Sequence, residues 1–274
     1  MTLIHISLFK ASGLRKFFNL RLLIMKNLLF LFLAFIASGA SQSRAGDKTL
    51  PDGSVQPDSL PGTAMVRKCH DFRITGDGSS AEWKSAEWIN LLPQGVIHSD
   101  YPTKVKILYS EKGIYFLFNC TDKKLTSTMR ADNLNLWEED VVEVFLWTAE
   151  DFPVYFEYEI SPMDYELPII VPNYKGRFLG WLPWNYSDDK RTVHATSAVG
   201  GEKKGGAAVS AWIAEFFIPY KLLNPLPQVP PVPGTRWRAN MYRIDYDNGA
   251  SHFAWQKTKR TFHEYNSFGT LVFE

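Results

Sequence analysis

The feature that most limits what this chain can fold into is alternation. From residue 66 onward, apolar side chains recur at every second position in short runs, and each run stops at Gly, Pro, Asn or Asp. A two-residue period sends successive side chains to opposite faces of a strand. Thr103-Lys104-Val105-Lys106-Ile107-Leu108-Tyr109 alternates, Glu111-Lys112-Gly113 turns, and Ile114-Tyr115-Phe116-Leu117-Phe118 returns as a hairpin. Further strands are expected at Val141–Trp147, Val154–Ile160, Leu167–Val171, Thr192–Val199, Val209–Ile218, Trp237–Asp245, His252–Trp255 and Thr270–Phe273, about ten in all. The only helix candidate in this region is the short Pro219–Leu223, where proline suits a first turn. The fold class that follows is all-β: a two-sheet antiparallel β-sandwich, jelly-roll or immunoglobulin-like, with minimal helix outside the signal peptide.

The N-terminal stretch, residues 1–65, follows a different pattern. Residues 1–40 carry Lys10, Arg15, Lys16, Arg21 and Lys26, then the apolar run Leu28–Ala37, then Ser38-Gly39-Ala40. A basic flank, an apolar run too short to span a bilayer and small residues at its end read as an N-terminal extension and cleaved signal peptide, starting at Met1 or Met25. The expected address is periplasmic or extracellular, with no membrane span after signal removal. Residues 41–65, with Pro51, Pro57 and Pro61 among small polar residues, read as a flexible linker. Residues 66–274 form the expected single domain.

Charge narrows the partners. The 274 residues hold 30 Lys and Arg against 29 Asp and Glu, a formal net charge of +1. No broad field favours nucleic acid, so neutral ligands are the natural class. Export permits the two cysteines, Cys69 and Cys120, to pair; a disulfide and two separate buried thiols are both open. No phosphate loop, nucleophile elbow or His-Glu-x-x-His pair occurs.

One segment concentrates chemistry: Leu136-Trp137-Glu138-Glu139-Asp140-Val141-Val142-Glu143-Val144-Phe145. Alternation places Val142, Val144 and Leu146 on one strand face and Val141, Glu143 and Phe145 on the other, so Glu143 is an acid among apolar neighbours. Tyr155-Phe156-Glu157-Tyr158-Glu159-Ile160 follows, with Glu157 and Glu159 on one face. If the two strands pair, carboxylates and aromatic rings gather on one surface. A sugar presents apolar CH faces to rings and hydroxyls to polar groups, and such a surface suits it. Paired carboxylates also serve glycosidases, so Glu143 and Glu157 keep a hydrolase acting on O-glycosyl bonds open. Within Trp237–Asp245, Arg243 shares a face with Trp237, Ala239, Met241 and Asp245 and is expected either to be a sugar-hydroxyl partner together with Glu143 and Glu157, pairing with one of them, or to form an internal ion pair. The loop Trp181-Leu182-Pro183-Trp184-Asn185-Tyr186 offers Trp181 and Trp184 as a sugar platform or as a lid over the core. Asp77 and Glu82, in an oxygen-rich turn, are candidate calcium ligands or parts of a structural turn.

Asp77–Trp83, the Trp137–Phe145 segment, Ile218-Pro219 after an apolar strand and the closing Phe268-Gly269-Thr270-Leu271 resemble, in order and spacing, the family 9 carbohydrate-binding modules, of DOMON-like type, over about residues 70–274. The resemblance implies a non-catalytic β-sandwich that holds a sugar chain between two aromatic rings, accompanied by glycan-degrading enzymes and often by structural calcium. It implies a ring platform at Trp137 and a hydroxyl-binding acid at Glu143. Phe262 stands where the family carries its second clamp tryptophan, and Glu157 stands where the family carries an arginine. Related sandwiches hold haem b between Met and His; Met129, Met163 or Met241 with His252 or His263 are the residues that such a redox domain would use here.

Overall fold

A computed structural model describes residues 62–96, 100–175, 177–184, 187–224 and 226–274. The expected signal peptide lies outside the described residues, as do His98, Asn185 and Tyr186. Fourteen strands follow in order: β1 (Thr63–Lys68), β2 (Ile89–Gln94), β3 (Thr103–Tyr109), β4 (Gly113–Thr121), β5 (Val141–Trp147), β6 (Val154–Ile160), β7 (Glu166–Tyr174), β8 (Arg177–Phe178), β9 (Leu182–Pro183), β10 (Val193–Val199), β11 (Ala211–Pro219), β12 (Arg236–Asp245), β13 (Ser251–Ala254) and β14 (Gly269–Phe273). A four-residue helix, α1 (Tyr220–Leu223), follows β11 at the position expected of it. No helix among the described residues is long and apolar enough to cross a membrane.

The strands make two layers. In the front sheet, β12 pairs with β5 on one side, β5 with β6 and β6 with β7; on the other side of β12, β14 takes its first half and β13 its second. The back sheet runs β10-β11-β4-β3. Two strands cross between the layers. β2 pairs with β3 through Ile89–Leu91 and with β13 through Leu92–Gln94. β1 pairs with β14 through Thr63–Val66 and with β3 through Arg67–Lys68, both in parallel, where the sequence pattern suggests an antiparallel sandwich throughout. The count exceeds the expected ten through β1, β2, β8 and β9. β1 buries one residue of six, β2 carries Pro93, and β8 and β9 are two residues each, so none of the four shows a readable period. β1 also carries the fold back to Thr63, inside the stretch expected to be linker.

The core lies between the layers. Val142, Val144 and Leu146 of β5 and Phe156, Tyr158 and Ile160 of β6 meet Phe116 and Phe118 of β4 and Trp212, Ala214 and Phe216 of β11 in one buried cluster. The Tyr158 and Phe216 rings touch across it, 4.8 Å between centroids. Each such side chain removed from water contributes roughly 1.5–3 kcal/mol.

Arg243 sits in this interior. Glu143 lies opposite Tyr242 in the β5–β12 ladder and Arg243 lies opposite Val142, so Arg243 projects to the face away from Glu143. Its Nη1 donates to Thr103 Oγ1 (3.0 Å) and the Thr121 carbonyl (2.6 Å), and its Nη2 to Asp122 Oδ2 (3.0 Å) and Asp245 Oδ2 (2.9 Å). The side chain is wholly buried, which corrects its assignment as a sugar contact: it is the internal ion pair, tying β12 of the front sheet to β3 and β4 of the back sheet.

The cysteines are also settled by faces. Cys120 is buried between the layers, whereas Cys69 packs with Phe72 and Trp83 on the outer side of the back sheet. Both are free thiols, and the disulfide between them is not formed.

The outer side of the back sheet is covered by the chain from Cys69 to Ala86. Phe72 stacks on Tyr115 (4.4 Å), and buried Glu215 of β11 accepts from Thr75 N (3.0 Å), Gly76 N (2.7 Å) and Trp83 Nε1 (2.8 Å). Gly76 has φ +82°, and a Cβ there would lie 2.8 Å from Ala195 Cβ, so the turn requires glycine. The outer side of the front sheet is left to hold a cavity.

Candidate carbohydrate site

The antiparallel β5–β6 ladder sets Glu143 directly opposite Glu159 and Phe145 opposite Glu157. Strand alternation sends all four to the outer face, with Val142, Val144, Phe156 and Tyr158 turned into the core. The expected gathering of acids and rings is therefore present, and Glu159 joins it. These side chains form part of the floor of a cavity of about 470 Å³. Its walls include Trp137, Phe178, Trp181, Phe262 and His263. The size falls in the range of roughly 300–1,000 Å³ typical of small-ligand sites.

Each wall is held by backbone and polar ties. Trp137 rides a 3-10 turn, Leu136–Glu138, that leads into β5. The acids after it are structural: Glu139 accepts from Met129 N (3.0 Å), and Asp140 accepts from Thr126 N (2.6 Å) and Tyr246 N (2.9 Å). Tyr246 in turn donates its hydroxyl to the Trp137 carbonyl (2.7 Å). The insert after β7 folds back on it, with β8 pairing to Asn173–Tyr174 and β9 to Ile169–Ile170. That return puts Trp181 edge-on to Trp137, 5.5 Å between centroids and 75° between planes, so two indoles meet as a corner. Trp184, three residues on, goes elsewhere. It packs against the core between the sheets and donates Nε1 to the Leu222 carbonyl (2.8 Å), which makes it a lid rather than part of this wall.

The opposite wall is the segment between β13 and β14. Tyr242 donates its hydroxyl to the Phe262 carbonyl (2.8 Å), and the two rings stack flat, 4.0 Å apart and 5° from parallel. His263 Nδ1 bonds the Tyr155 hydroxyl (2.6 Å), and the imidazole stacks on Phe178 at 4.1 Å. Gln94 Oε1 accepts from Thr258 N (3.0 Å), and Asn240 brackets Gln256 through Oδ1 and Nδ2. A wall fixed at this many points presents its rings without needing to order them on binding.

The floor is electrostatically unusual. Glu143, Glu157 and Glu159 are 2%, 4% and 1% exposed. Burial pushes the Glu143 carboxyl up to about 8. Burial and the charge of Glu143 raise Glu157 well above the carboxylate range, and burial with the charges of Glu143 and Glu157 does the same to Glu159. Burial also depresses His263 to about 4, so it stands neutral beside Glu157, 3.8 Å from its Oε2. Glu157 and Glu159 hydrogen-bond one another and Glu159 also accepts from the Trp137 backbone, while Oε2 of each meets no donor from any other group of the protein.

The structure thus brings Trp137, Glu143, Glu157, Trp181 and Phe262 to one cavity and takes Arg243 and Trp184 elsewhere. Alternation places Glu159 on one face with Glu157 but assigns it no role, and nothing in the sequence signals Phe178, whose two-residue strand shows no period. For the redox alternative, Met241 lies between the sheets while His252 and His263 line the cavity on the other side, so these cannot flank one haem. Asp77 Oδ1 accepts from Thr75 Oγ1 (2.6 Å) and Ser79 N (2.9 Å), the contacts of a closed turn. Among the described residues, the acids whose ligand atoms converge within 4.8 Å are Asp122, Asp245 and Asp247, and there Arg243 already supplies the positive charge. Neither place fits a calcium ion well.

Residues 74–167, which include Trp137, Glu143, Glu157 and Glu159, match the sequence profile of the family described as "Carbohydrate family 9 binding domain-like". The resemblance read from the sequence holds over that segment. Solved structures share the fold over most of the chain. A Bacteroides uniformis protein described as a candidate carbohydrate-binding protein is 17% identical, with TM-score 0.62, over 78% of this chain and 100% of its own. A family 9 module of Caldicellulosiruptor kristjanssonii, in complex with cellotriose, is 14% identical with TM-score 0.55, over 77% of this chain and 93% of its own. In complex with glucose, a family 9 module of the same organism is 15% identical with TM-score 0.56, over 77% and 95%. No curated protein sequence matches this chain significantly.

Proposed function

We propose that this is an exported, non-catalytic carbohydrate-binding protein that holds a glycan in the front-sheet cavity and assists polysaccharide degradation outside the cell or in the periplasm. The observation that carries it is the composition of one pre-organised cavity: rings from three separate chain segments over a floor of hydrogen-bonding carboxyls. Sugar CH faces lie on indole and phenyl rings, and sugar hydroxyls exchange hydrogen bonds with the acids. The fold shared with family 9 modules supports the reading, and enzymes that cut the same glycan are the partners it suggests. Binding of this kind needs no cofactor.

The hydrolase alternative is the weaker one. A glycosidase keeps one carboxyl protonated and the other ionised through unlike environments. Glu143, Glu157 and Glu159 share one buried environment, and all three are pushed the same way.

Titration of the protein with a panel of oligosaccharides, followed by tryptophan fluorescence, tests the proposal. Saturable quenching or enhancement is expected, weakened about tenfold or more in Trp137→Ala. An unchanged signal with every glycan would sink it.

A further inference from the structure

The buried acids of this protein divide into two kinds. Those outside the cavity have internal partners. Glu215 accepts from two backbone amides and the Trp83 indole, Asp140 from two backbone amides, and Glu166 from the Tyr158 and Thr192 hydroxyls. Asp122 and Asp245 have Arg243. Glu157 and Glu159 are more than nine-tenths buried and line the cavity; they hydrogen-bond one another, and Oε2 of each meets no donor from any other group of the protein. A buried carboxyl oxygen without such a donor is costly, and here two of them sit within one space that a ligand would fill.

The groups around them do not supply a positive charge. Tyr155 and Tyr242 offer hydroxyls already engaged with His263 and the Phe262 carbonyl, and His252 and His263 are depressed by burial. Lys259 and Arg260 line the cavity from its solvent edge; the Arg260 side chain is 86% exposed and pairs with Glu264 at 3.1 Å. The three glutamates do not converge as a metal-ligand set either; among the described residues only Asp122, Asp245 and Asp247 do so. An organic cation is the complement that remains. The perpendicular indoles of Trp137 and Trp181 present π-faces and edges at the same cavity, and aromatic corners combined with carboxylates are a strong environment for a substituted ammonium.

We propose that the cavity takes a cationic sugar, one with a free primary amine such as a glucosamine unit, with Glu157 and Glu159 receiving the ammonium and Trp137 and Trp181 covering the ring. This rests on the reading that the cavity is the glycan site. The amine donates to these two Oε2 oxygens, and the acid that receives it gives up its proton to solvent, so the bound pair is neutral overall. A neutral sugar meets the same acids only as hydroxyl partners.

The test compares three trisaccharide probes on the full chain by isothermal calorimetry at about pH 6, where the amine is charged. They are the fully deacetylated glucosamine trimer, its N-acetylated counterpart and cellotriose, with spermidine as a sugar-free amine. The amino sugar is expected to bind at least about tenfold tighter than either neutral trimer. Repeating the titration in buffers of different ionisation enthalpy is expected to show about one proton released per amine bound and none for the N-acetylated trimer. This count uses the unaltered protein and so does not depend on any variant folding. In the doubly substituted Glu157→Gln, Glu159→Gln protein, checked for fold by circular dichroism, the preference for the amine is expected to vanish. Neutral trimers binding as tightly as the amino sugar would overturn the inference and leave the glycan site standing. Spermidine binding as tightly as the amino sugar would overturn the sugar part. Failure of every saccharide to bind would overturn both this inference and the function proposed above.

Discussion

Three buried acids lining one cavity make the residue scale testable through pH. Glu143 moves from an ordinary 4.5 up to about 8, and Glu157 and Glu159 move in the same direction. Raised carboxyls hold protons in the folded state that the unfolded state releases, so their stabilisation is present below the unfolded value and is lost as pH climbs through the folded one. His263, depressed to about 4, acts in the opposite sense: it costs stability as pH falls from 6.5 toward 4. Above about pH 6.5 that opposing effect is exhausted, and thermal stability is expected to decline toward pH 8.5. Glu143→Gln removes its share, on the order of 2–5 kcal/mol, and should flatten the decline in melts recorded across that range. A wild-type melting point that rises from pH 6.5 to 8.5 would contradict the burial of these acids in neutral form. Arg243 gives the second residue-scale prediction. Arg243→Met leaves Asp122 and Asp245 buried without a cation, and a loss of about 3–5 kcal/mol is expected in urea denaturation. Alternation puts Arg243 and Asp245 on one strand face, so that partner was legible, whereas nothing in the sequence signals Asp122, which follows β4 of the other sheet.

At the scale of elements, the β5–β6 pair was legible almost residue for residue. Val141–Trp147 and Val154–Ile160 are the observed strands, because both are short runs of β-branched and aromatic residues bounded by turn residues. What lay beyond sequence was the pairing register that sets Glu159 against Glu143, since register depends on the turn and on the packed face together. The insert after β7 was legible only as a cluster of aromatics. Its two short strands decide that Trp181 serves the cavity and Trp184 the core. Single substitutions should separate those roles. Trp181→Ala is expected to weaken glycan binding about tenfold with little change in stability. Trp184→Ala is expected to cost about 1–3 kcal/mol in denaturant unfolding and to leave the bound-state fluorescence response in place. Reversal of the two outcomes would place the wrong indole in the wall.

At the largest scale, the described residues form a sandwich with unlike outer faces. The chain from Cys69 to Ala86 seals the back sheet, and the turn at Thr75–Gly76 together with Trp83 serves to satisfy Glu215, a structural duty for a motif that sequence alone could equally assign to calcium. That the strands form a two-layer sandwich was readable from alternation, but the crossing strands β1 and β2 were not, since each divides its few residues between two sheets and so shows no single buried face. With Cys69 and Cys120 on opposite sides of the back sheet, stability owes nothing to a disulfide. Thermal melts with and without reductant should therefore coincide, and a drop on reduction would show that the cysteines pair. Because the back sheet is sealed, the account places any bound glycan on the front sheet. The most direct measurement is the crystal structure of the protein soaked with the oligosaccharide that binds best in the fluorescence panel. The account predicts a sugar ring against Trp137 and within hydrogen-bond reach of Glu143, Glu157 or Glu159; a glycan seated on the back sheet or at the β7–β8 edge, with the cavity empty, would contradict it.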